Sequence, residues 1–97
     1  MGYTTPTSME PLAKLFGSAT RLKTLRLFLF NKETAFTLAE VADRAKVAPA
    51  AARRELADLV ALGLLKKRGE RAGARYQVNG KFEHLNALDT FVRETTS

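Results

Sequence analysis

A mainly helical fold carrying one small β-hairpin is predicted by three observations. Residues 37 to 68 read TLAEVADRAKVAPAAARRELADLVALGLLKKR, in which apolar residues recur at helical spacing twice in succession. Pro49 stands between the two patterns and Gly63 closes the second. Beyond it, two short segments of alternating character are joined by GERAG, whose two glycines suit a hairpin tip.

The first helical pattern places Leu38, Val41, Ala42 and Ala45 at i, i+3, i+4 and i+7, so one face is buried. Thr37 with Glu40 three residues later forms a capping box that sets its start. In the second pattern Ala52, Leu56, Leu59 and Val60 make the inner stripe, and Ala50, Arg53, Arg54 and Ala57 point elsewhere. Pro49 fits the first helical position, where a missing N–H costs nothing, and Gly63 fits the left-handed residue beyond a helix end. The second helix is therefore expected from about residue 49 to 62.

Ahead of this pair, Ser18 is an expected N-cap for a helix reaching Asn31, with Leu22, Leu25, Phe28 and Leu29 on a wide apolar face. A shorter helix is expected from Met9 to Phe16, ended by Gly17, and Phe36 is expected to add a short strand. After the pair, Leu64 to Arg68 and Arg75 to Asn79 read as strands. Tyr76 and Val78 alternate with Arg75 and Gln77, so one face can pack on the core and the other can carry charge. The Asn79–Gly80 turn then leads to a last helix with Leu85, Leu88 and Val92 in register and Phe91 beside them.

With 97 residues, 45% of them apolar, the chain can build one core. A single domain is expected over 9–94, a three-helix core with its hairpin and terminal helices, between flexible ends at 1–8 and 95–97. No separate effector domain is expected. The chain has no cysteine, which excludes disulfides and thiolate chemistry. The apolar run Leu27 to Phe30 is far too short to cross a membrane, and the first residues lack the apolar core of a secretion signal. A cytoplasmic location is expected.

Charge narrows the function. Between Arg53 and Lys81 lie eight cationic and three anionic side chains, so most of the formal net charge of +6 sits in that third of the chain. A basic cluster on one helix and the hairpin beside it attracts a polyanion, because neutralised phosphates release their condensed counterions. Catalysis is not expected. Glu83 and His84 are neighbours on a helix and so point about 100 degrees apart, with no nucleophile marked nearby. Gly69 and Gly73 lack the strand-to-helix setting of a phosphate-binding loop.

The run LFGSATRLKTLRLFLFN followed by ELADLVALGLLKKR, in this order of elements, resembles the winged helix-turn-helix transcriptional regulators of bacteria and archaea. The likeness is to the DNA-binding domain of arsenic-repressor-like and multiple-antibiotic-resistance-regulator-like proteins, over about residues 9 to 92. It implies a recognition helix in the major groove of double-stranded DNA and a wing on the backbone or in the minor groove. It also implies homodimerisation through the first and last helices. Carried over by position, the helix contacts fall on Pro49, Ala50, Ala51, Arg53 and Arg54, and the wing contacts on Lys67, Arg68, Arg71 and Arg75.

The sequence departs from that family twice. Alanines occupy the recognition-helix start where the family usually has serine, threonine or glutamine, so Arg53 and Arg54 are left to pair with guanine or to hold phosphates. The metal-sensing members need cysteine or clustered histidine ligands, whereas His84 stands alone, so no metal or other cofactor is expected. The expected function is transcriptional regulation by DNA occupancy, with repression the simplest mode for so small a domain. A winged helix that binds an unknown protein partner is the alternative, since a shared core does not establish function.

Overall fold

Asn31 shows how local chemistry sets the limits of the first helix. In the structure, a computed structural model that describes residues 19–96, helix α1 (Ala19–Leu29) stops two residues before the sequence expectation. The Asn31 side-chain amide donates to the Leu27 carbonyl at 2.7 Å, and its backbone N–H turns to Phe28 at 3.1 Å, so the last carbonyls are satisfied without another turn. Leu25, Phe28 and Leu29 are buried, as the apolar face requires. Thr24 is buried too, and its hydroxyl donates to the Thr20 carbonyl. Ser18 and the helix expected over 9–16 lie outside the described residues.

Strand β1 (Phe36–Thr37) leads directly into α2 (Leu38–Ala45). The capping box is formed as expected: the Glu40 N–H donates to the Thr37 hydroxyl at 3.2 Å and the Thr37 N–H donates to the Glu40 carboxylate at 2.9 Å. Lys46 ends α2 in the left-handed region at φ 61, a conformation that favours glycine and that nothing in the sequence marked. Three residues later α3 (Pro49–Ala61) begins. Its inner stripe is seated as expected, with Ala52, Leu56 and Leu59 buried and Val60 packed at the edge. Gly63 at φ 88 supplies the predicted left-handed residue.

The hairpin comprises β2 (Leu65–Arg68) and β3 (Arg75–Val78), with a 3-10 turn, Arg71–Gly73, at its tip. Both strands are a residue shorter than expected at the base, where Asn79 takes over: its N–H donates to the Leu64 carbonyl and its side-chain amide to that of Gly63. Strand β1 pairs antiparallel with β3, giving a three-stranded sheet in the order β1-β3-β2. The short strand read at Phe36 thus has its partner 40 residues away, in the register Phe36 to Tyr76.

Helix α4 (Leu85–Thr96) starts after a longer turn than expected, through residues 79 to 84. Leu88 and Val92 are buried with Phe28, Phe36 and Leu56 in one core. Asp89 ties α4 to the turn after α1, accepting from Lys32 at 2.6 Å, and also accepts from Arg93 of its own helix at 2.8 Å. Those two bonds, Lys32 first, hold the Asp89 carboxyl below its ordinary value.

Candidate nucleic-acid interface

Helix α3 presents one face to the core and the other to solvent. Opposite Ala52, Leu56 and Leu59, the 3.6-residue period brings Ala50, Arg54, Ala57 and Ala61 outward, and all four are exposed. Arg54 is the one long side chain on the centre line of that face. Arg53 is exposed as well, but it lies a quarter-turn round, on the flank toward the wing.

The start of α3 has no side-chain cap. Ala48 takes the N-cap position in extended conformation (φ −65, ψ 143) and offers no acceptor, and Pro49 has no N–H. Ala52 already donates to the Ala48 carbonyl at 2.9 Å, so the N–H groups of Ala50 and Ala51 are those left at the positive end of the helix dipole. The alanines of the sequence-derived site therefore offer backbone donors and methyl groups.

Alternation along the hairpin divides the basic wing. Lys67 lies opposite Tyr76 and Leu65 opposite Val78, and these four point toward α3 and the core. Lys66 lies opposite Gln77 and Arg68 opposite Arg75, so these point to the other face. An open groove of about 760 Å³ runs between α3 and the wing, with Arg53, Lys67 and Arg71 on its rim and Leu38, Val60 and Tyr76 among its floor. Arg71 is held there in a left-handed conformation at φ 59, and Gly69 before it is at φ 84. Any side chain at Gly69 would be strained.

The nine sequence-derived residues thus form two groups. One lies at α3 and its groove: Arg53, Lys67 and Arg71 line the groove, Ala50 and Arg54 are on the exposed face, and Pro49 with half-buried Ala51 stands at the start of the helix. Arg68 and Arg75 stand with Lys66 on the outer wing face. Arg75 is partly committed: its Nη1 donates to the Ala35 carbonyl at 3.4 Å and lies 3.6 Å from Glu40. Glu40 itself is held below the ordinary 4.5, chiefly by the Thr37 backbone N–H, with the Arg75 charge adding to it.

Two cations beside this surface are not among the nine residues assigned from the sequence. Lys66 could have been found from strand parity, since it shares a face with Arg68. Arg21 carried no local signal, yet its Nε contacts Glu55 at 2.5 Å and its Nη2 contacts Asp58 at 2.7 Å. Arg21 of α1 thereby pairs with both carboxylates of α3 and offsets one of their two negative charges. His84 is exposed and edge-on to Phe82, and among the described residues no three acidic or histidine side chains gather to hold a metal. No helix among them is long and apolar enough to cross a membrane.

No protein-family model matches the sequence, and no curated relative matches it. Solved structures do match. A protein of E. coli described as a predicted DNA-binding transcriptional regulator aligns at TM-score 0.63 and 17% identity, covering 91% of this chain and 88% of that one. The AntR antimony-specific transcriptional repressor aligns at TM-score 0.63 and 14% identity, over 98% of both chains. RV1404 of Mycobacterium tuberculosis aligns at TM-score 0.58 and 17% identity, over 93% of this chain and 69% of that one. At such identities the likeness establishes the fold, a winged helix-turn-helix.

Proposed function

We propose that this protein binds double-stranded DNA site-specifically and regulates transcription by occupancy, acting as a repressor in the cytoplasm. The observation that carries this reading is the convergence of Arg53, Lys67 and Arg71 around one groove beside the exposed face of α3. Helix and wing then form a single cationic surface, with the two α3 carboxylates paired to Arg21. The descriptions of the E. coli protein and of AntR agree with this reading. The antimony specificity does not carry over, because a soft metalloid calls for thiolate ligands and this chain has no cysteine.

The two arginines take different roles in this proposal. Arg54, between alanines on the outermost line of α3, enters the major groove and pairs with a guanine edge. Arg53 joins Lys67 and Arg71 on phosphates, while the Ala50 and Ala51 N–H groups cap the helix onto another phosphate. Lys66 and Arg68 reach the backbone from the outer wing face.

A homodimer would set two recognition helices about 34 Å apart on a near-palindromic site. Leu88 and Val92, residues of the last helix that could have served such a seam, are spent on the core of a single chain. A dimer must therefore draw on other residues of the terminal segments. Sedimentation showing only a 10.7 kDa species at micromolar concentration would remove it.

The test is fluorescence anisotropy with a duplex from the protein's own promoter and a scrambled duplex, each over a salt series. Arg54→Ala should cost about 1 to 3 kcal/mol on the preferred duplex and far less on the scrambled one. Arg53→Ala or Arg71→Ala should weaken both alike and lower the salt slope by about one unit each. Negligible binding to either duplex at low salt would overturn the proposal in favour of a protein-binding winged helix.

A further inference from the structure

A second basic surface lies on the helical body and shares no lining residue with the groove or the wing. Lys23, Arg26, Leu27 and Phe30 recur at i, i+3, i+4 and i+7, so they form one stripe along α1 and the turn that ends it. Across from the stripe, Arg44 and Ala45 close an open groove of about 320 Å³ at the end of α2.

Two features of this groove point to a ligand with both charge and apolar surface. Phe30 is 41% exposed, and only Leu62 among the described residues is another large apolar side chain so open. Its ring is held in place, since the Arg93 guanidinium lies 4.9 Å from the centroid and Arg93 is itself fixed by Asp89. Around it, the lining includes three cations and no carboxylate. Three other cations of the body do have carboxylate partners: Arg21 pairs with Glu55 and Asp58, and Lys32 and Arg93 with Asp89. Lys23 and Arg26 meet no carboxylate among the described residues, Arg26 Nε is enclosed without an acceptor, and Arg44 rests over the Phe36 ring.

We propose that this stripe docks an acidic peptide segment of a partner protein, with an apolar side chain of the segment seated on Phe30 and carboxylates placed against Lys23, Arg26 and Arg44. An apolar centre ringed by arginine and lysine is the anatomy of a small protein–protein interface. A DNA backbone fits it poorly, because the exposed ring would be desolvated against phosphates and gain nothing. The stripe is separate from the α3 groove, so a peptide and a duplex can be held together, which would couple DNA occupancy to a second protein. The docking itself does not depend on the DNA reading.

A fluorescein-labelled synthetic peptide of alternating glutamate and leucine, titrated with the intact protein by anisotropy, tests this. Binding should fall about tenfold in the charge-reversed double variant Lys23→Glu with Arg44→Glu, and similarly in Phe30→Ser. Both variants change exposed side chains, and thermal melts by circular dichroism should confirm that they fold. Arg53→Glu with Lys67→Glu should leave peptide binding within about twofold, because those side chains line the other groove. Loss of binding in that pair alone would move the peptide to the α3 face and overturn the proposal. Absence of peptide binding at low salt would also overturn it. So would a Lys23→Glu, Arg44→Glu variant that kept the peptide but bound duplex with a lower salt slope, which would make the stripe a nucleic-acid contact.

Discussion

Helices α2 and α3 have the same kind of buried stripe and opposite kinds of beginning. Helix α2 is closed by side chains of its own, Thr37 and Glu40 exchanging two hydrogen bonds. Helix α3 opens on Ala48 and Pro49 with no side-chain acceptor. The first helix carries a local instruction for where to start, and the second is held in place by the core that Leu56 and Leu59 enter. The uncapped end is also the end that the proposed function turns toward phosphate. Its open amides are a cost to the free protein that a bound anion would relieve.

The contrast can be broken most severely at the core. Leu56 is fully buried, so Leu56→Ala should destabilise the fold by about 2 to 5 kcal/mol in urea unfolding. A loss below about 1 kcal/mol would mean that α3 is not anchored by its inner stripe.

Smaller changes sharpen it. Thr37→Ala removes one half of the capping box and should cost about 1 kcal/mol. Ala48→Asp, at a residue already in N-cap conformation, should act the other way and stabilise the free protein by up to about 1 kcal/mol. The same carboxylate would stand where a phosphate is proposed, so duplex affinity should fall as stability rises. Affinity that rises with Ala48→Asp would remove the α3 N-terminus from the interface.

The smallest expected effect concerns pH. The folded state holds Glu40 below its ordinary 4.5, so its contribution is present above that value and is lost as pH falls through the folded one. A Glu40→Gln variant should therefore melt below the natural protein near neutral pH, and the gap should narrow on the acid side. A gap that stayed constant with pH would assign the Glu40 effect to packing or backbone geometry.

Between these two helices the sequence reading was unequally informed. The capping box, Gly63 and both inner stripes were legible because each is a matter of residues within one or two turns of each other. The left-handed Lys46 was not, since lysine carries no preference for that conformation and is held there by the closing of the turn, where its N–H reaches the Ala42 carbonyl. In the site, the arginines and lysines could be named from charge alone. Their division into a groove set and an outer-wing set needed the register of β2 on β3.

What the sequence determined by itself is the order and kind of the elements, because helical period, alternation, caps and left-handed glycines act over a few residues. The tertiary structure decided which faces meet. Arg21 pairs with carboxylates 34 and 37 residues away, Phe36 finds Tyr76, and Arg53 reaches the same groove as Lys67 and Arg71 while Arg75 is drawn to Glu40. Periodicity states that a face is polar, but which cation it will stand beside depends on how α1, α3 and the hairpin pack around one core. That packing is set by burial of the whole apolar set, and no short stretch of the chain contains it.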